Sequence, residues 1–202
     1  MNRRAMIKPR LLLSALLLPF ALSACTGEAP PAERPPLEGA AIGGPFTLTG
    51  QDGKPVSWSD FDGQYRIVYF GYAFCPDVCP LDVQVAMQGL NAFEKQNPEL
   101  GRKVQPIFIT IDPERDTPEK VGEFAAAFHP RLIGLTGTPD QIAATAKAFG
   151  AYATRGADTP GGYLMDHSRV TYLMGPKGEP ISMLPVDKDA AAVSAELAKW
   201  VK

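Results

Sequence analysis

The densest chemistry in this chain lies in the segment Phe70-Gly-Tyr-Ala-Phe-Cys-Pro-Asp-Val-Cys-Pro80. Cys75 and Cys79 have three residues between them, one more than the common Cys-x-x-Cys redox pair. That wider bite can close on a soft metal as well as sulfur on sulfur. The pair sits between an apolar, β-branched run and a helical pattern, at the strand end where open α/β sheets present their binding residues. Pro80 suits the first helical position, which makes Cys79 the expected N-cap and leaves Cys75 in the preceding loop. Free N–H groups and the positive end of the helix dipole favour thiolate over thiol, so at least one cysteine is expected to have a lowered pKa. Three other readings stand beside a metal site. A structural disulfide would close so short a loop that little denatured-state entropy is removed. A thiol–disulfide exchange pair fits the spacing, and a pair of inert thiols is disfavoured by Pro76 and Asp77 between them.

The chain has two histidines. His129 follows Phe128 at a helix end, where a histidine interacts with free carbonyls, and reads as structural. His167 lies in Met165-Asp166-His167-Ser168, after a glycine-rich stretch expected to be a flexible loop. Such a loop can bring an imidazole to two thiolates, with Asp166 or Ser168 orienting its other nitrogen. Two thiolates and one imidazole suit copper: sulfur favours Cu(I), and the nitrogen with a further oxygen accommodates Cu(II). Zinc, which takes four ligands in structural sites, fits less well. Met165, Met174 and Met183 read as core or gap-filling residues rather than ligands.

These residues need a scaffold, and the periodicity supplies one. Phe46-Thr-Leu48 and Val56-Ser-Trp58 flank an Asp-Gly turn and predict a hairpin. Residues 65–71 and 104–111 read as buried strands and 132–136 as a short one, with helices over 81–95, 117–128 and 139–149. Thr117-Pro118 supplies the N-cap and first residue of the second helix. Residues 170–174 and 181–184 flank Gly175-Pro-Lys-Gly178 as a second hairpin, and 189–199 form a last helix. The pattern predicts an α/β sandwich of thioredoxin type with an N-terminal β-hairpin extension. Between the second strand and helix, Asp112 and Asp116 read as loop and capping residues, or else as a surface that docks a partner or supports the metal loop.

At 202 residues, 45% hydrophobic and 21% charged, the chain has the makeup of one folded domain with extensions, which excludes a collagen-like or wholly disordered protein. Arg3, Arg4, Lys8 and Arg10 precede the apolar residues 11–22; without these four, the 20 basic residues fall to 16 against 22 acidic, a net −6. An acidic domain without basic clusters is poorly suited to a phosphate backbone, so no nucleic-acid partner is expected. The apolar run of about a dozen residues, broken by Ser14 and Pro19, falls short of the roughly 20 that span a bilayer. A basic n-region before it and Leu22-Ser23-Ala24-Cys25 after it resemble a lipoprotein-type signal over 1–25, with Cys25 the expected lipidated residue and the periplasmic side of the bacterial cell membrane the expected destination; the plainer reading is an ordinary secretory signal cut near Ala24, with Cys25 incidental. Residues 26–45, rich in proline and glycine, are expected to be a tether of up to roughly 60 Å, and 46–202 the domain.

Cys75-Pro-Asp-Val-Cys-Pro80, Asp112-Pro-Glu-Arg-Asp-Thr-Pro118 and Asp166-His-Ser168, in that order, resemble the Sco/SenC family of copper chaperones along nearly all of residues 46–200. The resemblance implies a thioredoxin fold holding one copper on Cys75, Cys79 and His167; Asp77, Asp112, Asp116 and Asp166 are further candidates for a supporting or docking role. It also implies delivery of copper to the binuclear site of cytochrome c oxidase subunit II, reduction of that subunit's cysteines, or both. Other periplasmic copper chaperones or thiol reductants are further expected partners, and a monomer is the default. Many family members carry a transmembrane helix where this chain has Cys25. The rival reading is a thiol–disulfide oxidoreductase in which Cys75 and Cys79 form the redox pair and His167 is incidental. A peroxiredoxin-like peroxidase lacks the threonine and arginine it needs around Cys75. A noncatalytic stress sensor would use the same three residues.

Overall fold

Burial on both faces explains the continuous apolar run of strand β3 (Tyr65–Gly71): all seven residues are buried. In a computed structural model that describes residues 33–160 and 162–202, β3 pairs in parallel with β4 (Val104–Thr110) and antiparallel with β8 (Thr171–Met174). The full sheet has seven strands in the order β2-β1-β5-β4-β3-β8-β9, with β1 (Thr47–Gly50), β2 (Pro55–Ser57), β5 (Ile133–Thr136) and β9 (Pro180–Met183) completing it. Helices α1 (Val78–Gln96), α3 (Pro118–Ala126), α4 (Pro139–Ala148) and α5 (Ala190–Trp200) pack around it, and α2 (Pro98–Gly101) is a single turn. A 3-10 turn over Trp58–Phe61, like α2, has no counterpart in the sequence pattern. Arg66 is the one charged residue inside β3. Its guanidinium donates to the Gly175 carbonyl and Asp62 and lies over the Trp58 ring, 4.5 Å from its centroid. The architecture is the expected α/β sandwich with an N-terminal hairpin.

Local signals hold up where their partners are also local. Thr117 caps α3 by accepting from Lys120 N–H, with Pro118 at the first helical position. The capping expected of Cys79 does not occur. Helix α1 starts at Val78 with Asp77 as N-cap, which places Cys79 and Pro80 within the first turn. A proline is tolerated there because the first four N–H groups of a helix have no intrahelical partner.

Two segments differ from the sequence reading. The signal and Cys25, and the first residues of the expected tether, lie outside the described residues. Of that tether, residues 34–45 belong to the compact unit Arg34–Lys202. Leu37 N–H donates to the Ile181 carbonyl on edge strand β9, Gly43 N–H donates to Ala148, and Leu37 and Ile42 pack on the core. The exposed β9 edge offers an unpaired carbonyl to Leu37, and the C-terminal end of α4 offers one to Gly43, so the segment is held at two separate places. The second difference is the glycine-rich stretch before His167. Strands β6 (Ala153–Thr159) and β7 (Gly162–His167) form a separate two-stranded antiparallel sheet. Because β6 is largely exposed and β7 only half-buried, with Ala153 and Met165 alone of its side chains packed on the core, the hairpin shows no hydrophobic alternation. Met183 is also exposed rather than core, whereas Met174 is fully buried and Met165 packs against the core. Among the described residues no helix is long and apolar enough to cross a membrane.

Candidate metal centre

The site begins where β3 ends. A side chain at Gly71 would place its Cβ 2.6 Å from the Tyr69 ring and 3.3 Å from Cys79 Sγ, so glycine is what lets the thiol pack against the strand. The turn that follows is tied to the end of β4 by Asp116. Its Oδ2 accepts from Ala73 N–H (2.8 Å) and Thr110 Oγ1 (2.6 Å), while its backbone carbonyl accepts from Thr136. Burial pushes the Asp116 carboxyl up. Beyond the turn, Cys75 is half-buried and Cys79 fully buried, and neither is in a disulfide.

The two thiols divide their roles by environment. Cys79 N–H points at Cys75 Sγ, 3.4 Å away. The hydrogen bond from the Cys79 thiol, opposed by burial and helped by the backbone N–H groups of Asp77 and Cys79, draws the Cys75 thiol far below its ordinary value. The same hydrogen bond, with complete burial, pushes Cys79 up. The two shifts run in opposite directions, so Cys75 is the member of the pair favoured as thiolate and Cys79 the one favoured as thiol; the lowering expected of one cysteine falls on Cys75, chiefly through its neighbour's thiol.

His167 closes the group from the end of β7. Its Nδ1 lies 2.9 Å from the Ser168 carbonyl, and a carbonyl only accepts, so Nδ1 carries the proton. Nε2 then keeps its lone pair toward Cys79 Sγ, 3.2 Å away. The rings of Tyr69 and Tyr72 meet the imidazole edge to face at 6.5 and 6.0 Å. The donor atoms of Cys75, Cys79 and His167 all lie within 4.8 Å of one another, and no fourth Cys, His, Asp or Glu among the described residues joins them. Cys75 and His167 line a cleft of about 460 Å³, together with Asp77, Tyr152 and Met165, while Cys79 lies buried behind them. A larger cleft of about 640 Å³ lies across Tyr152 and Met165 but holds none of the three donors, so donor chemistry rather than size marks the site.

The remaining sequence candidates have other places. Asp77 is an exposed cap residue. Asp166 is exposed on β7 beside Gly156, on the face opposite His167, and does not orient the imidazole; the Ser168 backbone does. Asp112 pairs with Arg115 and accepts from Tyr163 OH (2.7 Å), so it and Asp116 hold loops around the site and ligate nothing. His129 is buried and structural. Its Nδ1 accepts from Arg131 N–H instead of donating to helix-end carbonyls, and burial pushes its pKa down.

One ion pair at the site went unread in the sequence. Asp82, buried on α1 three residues past Cys79, accepts two bonds from the Arg169 guanidinium (2.6 and 3.0 Å) and one from Tyr69 OH (3.2 Å). Arg169 lies two residues past His167, so the pair ties the imidazole's segment to the cysteine helix. Nothing local in the sequence links residues 87 positions apart.

With this geometry in hand, comparison with known proteins is informative. The family model SCO1/SenC matches residues 34–202. The chain is 38% identical over 170 residues to SCO1 homolog 1 of Arabidopsis thaliana, a mitochondrial protein, covering 84% of this chain and 50% of that one. It is 45% identical over 139 residues to SenC of Rhodobacter capsulatus, covering 68% and 61%. The chain thus spans between half and two thirds of the length of these two relatives. A crystal structure of Arabidopsis thaliana ScoI with copper bound superposes with a TM-score of 0.74 at 36% identity, covering 79% of this chain and 98% of that one.

Proposed function

The chain belongs to the SCO1/SenC family, and from that premise we propose that it is an extracytoplasmic copper chaperone that passes one copper to the binuclear site of cytochrome c oxidase subunit II. The observation that carries this reading is the convergence of Cys75, Cys79 and His167, two soft sulfurs and one imidazole nitrogen within 4.8 Å. That donor set suits Cu(I) and leaves the fourth position of a zinc site empty. In this mechanism the Cys75 thiolate makes first contact, since it is half-exposed and already deprotonated. Cys79 then gives up its proton, and His167 Nε2 completes the set without moving its Nδ1 bond to Ser168. Release reverses the order, with the acceptor's thiolates replacing the donors one at a time. Phe74, Leu81 and Tyr152, three of the large apolar side chains that stay exposed, flank the cysteines or their cleft and give an acceptor an apolar collar to seat on. Lipidation at Cys25 would hold the protein at the periplasmic face of a membrane.

The split thiol pair also favours a second reading, reduction of the acceptor's cysteines. The Cys75 thiolate attacks an acceptor disulfide to form a mixed disulfide. Cys79 resolves it, so two electrons pass to the acceptor and a Cys75–Cys79 disulfide remains. Copper titration of the fully reduced protein beside Cys75→Ser, Cys79→Ser and His167→Ala separates the two. One tightly held copper per chain, weakened by each change, supports delivery. If the reduced protein binds no copper while its disulfide exchanges readily, the reductase reading takes over.

A further inference from the structure

The imidazole comes from a weakly anchored element. A two-stranded hairpin is marginal on its own in water, and β6–β7 shares no strand pairing with the seven-stranded sheet. Something outside the ladder must fix β7: the Arg169–Asp82 pair holds the chain just past its end, and along the strand itself several contacts meet on one side chain. The Arg115 guanidinium stacks on the Tyr163 ring, 3.6 Å from its centroid, and its Nη1 donates to the Tyr163 carbonyl at 2.8 Å. The same guanidinium lies 5.6 and 5.5 Å from the centroids of Tyr72 and Phe74, three residues and one residue before Cys75. Its Nε is paired with Asp112, which in turn accepts from Tyr163 OH. Residues 163, 165 and 167 share one face of β7, so Arg115 grips the face that carries His167. Tyr72 OH, part of the same stack, accepts from Met165 N–H at 3.3 Å, midway between the two.

The geometry points to Arg115 as a positioning residue of the copper site: wedged between the turn that leads into Cys75 and the strand that ends in His167, it helps to set the distance between imidazole and thiols. This rests on the copper reading for its effect on affinity, but not for its effect on the hairpin. The test uses the reduced full-length protein with Arg115→Met, which keeps an apolar stem and loses the fork, and Arg115→Lys, which keeps the cation. Each is made in the wild-type and His167→Ala backgrounds.

Two readouts are taken. In the absence of copper, amide hydrogen exchange in β7 should speed up tenfold or more in Arg115→Met, less in Arg115→Lys, while β3 and β4 keep their protection. In a Cu(I) competition with a chromogenic chelator, Arg115→Met should weaken binding by about 10- to 100-fold, the range seen when partners that orient metal ligands are removed. The same change should cost less than about twofold once His167 is already alanine, because a positioning effect vanishes with the group it positions. Unchanged exchange in β7 overturns the proposal whether or not copper binds. An equal loss of affinity in both backgrounds overturns it too, by showing that Arg115 acts through the cysteines. Absence of copper binding in the wild type would instead sink the chaperone reading and leave the exchange result to decide on Arg115.

Discussion

Replacing Arg169 by alanine should be among the most costly changes outside the hydrophobic core. Asp82 is 1% exposed, and the substitution strips it of two charge-assisted hydrogen bonds, leaving only Tyr69 OH. Removing one partner of a fully buried ion pair costs about 3–5 kcal/mol. The Arg169 side chain is 47% exposed, so solvent screens part of the interaction and the expected cost falls to roughly 2–3 kcal/mol. For a chain of this size that corresponds to a fall in Tm of about 4–12 °C. The assay is thermal and urea unfolding of the reduced, copper-free protein, with Asp82→Asn and the double variant completing a cycle. Asp82→Asn should cost less than Arg169→Ala, since it leaves no unpaired buried charge, and the double variant should fall well short of the sum. A cost below about 0.5 kcal/mol for Arg169→Ala, the value of an ordinary surface pair, would refute the claim that this clamp fixes the His167 segment.

Three further outcomes are expected. Because Cys79 is held protonated beside a Cys75 thiolate, Cu(I) binding should release one proton, and apparent affinity should rise about tenfold per pH unit through neutrality; a flat profile contradicts the split pair. Burial raises the Asp116 carboxyl above its unfolded value of 3.8, so folded wild type is favoured at low pH and loses stability as pH rises through the folded value. Asp116→Asn can keep the acceptor for Ala73 N–H and Thr110 without titrating, so its urea midpoint should gain on wild type as pH rises above about 4; a difference that stays constant or narrows between pH 3 and 8 rules this out. Cys25→Ser should shift the protein from the membrane to the soluble fraction and remove the mass of the acyl chains, and persistence in the membrane would exclude a lipid anchor at that residue.

How much of this was visible in the sequence follows from the range of the interactions involved. Strands β3 and β4 were legible because both faces are buried and an unbroken apolar run has few other meanings. The cap at Thr117 was legible because the hydrogen bond it makes spans three residues. Cys75 and Cys79 announced themselves by spacing. His167 joins them across 88 residues and was picked from the chain's two histidines by its surroundings and by family resemblance, not by any local pattern. Hairpin β6–β7 reads as a loop in the sequence because it is held by single polar and stacking contacts to Arg115 and Tyr72, which leave no periodic trace. Residues 34–45 were misread as tether for a related reason: composition records the prolines, while docking depends on Leu37, Ile42 and one strand edge.

The division between legible and illegible parts has a chemical counterpart. The sulfurs lie on one continuous strand-turn-helix unit, with Cys79 fully buried and the turn fastened by Asp116, so their spacing is built into the core. The nitrogen belongs to an element whose ladder is independent of the main sheet. Displacing β7 would cost the contacts of Tyr163, Met165 and His167 but no hydrogen bond of the seven-stranded sheet. A site designed to retain a metal would gain from placing all its donors on the rigid unit. A site that must accept an ion and then surrender it gains from one donor that can leave first, because each ligand exchange then opens a single position instead of dismantling the chelate. Under the proposed chaperone function, the placement of His167 on β7, of Cys75 in the turn before α1 and of Cys79 in its first turn meets that requirement, and the strength of the hairpin's anchors is then the property expected to set how readily copper is released.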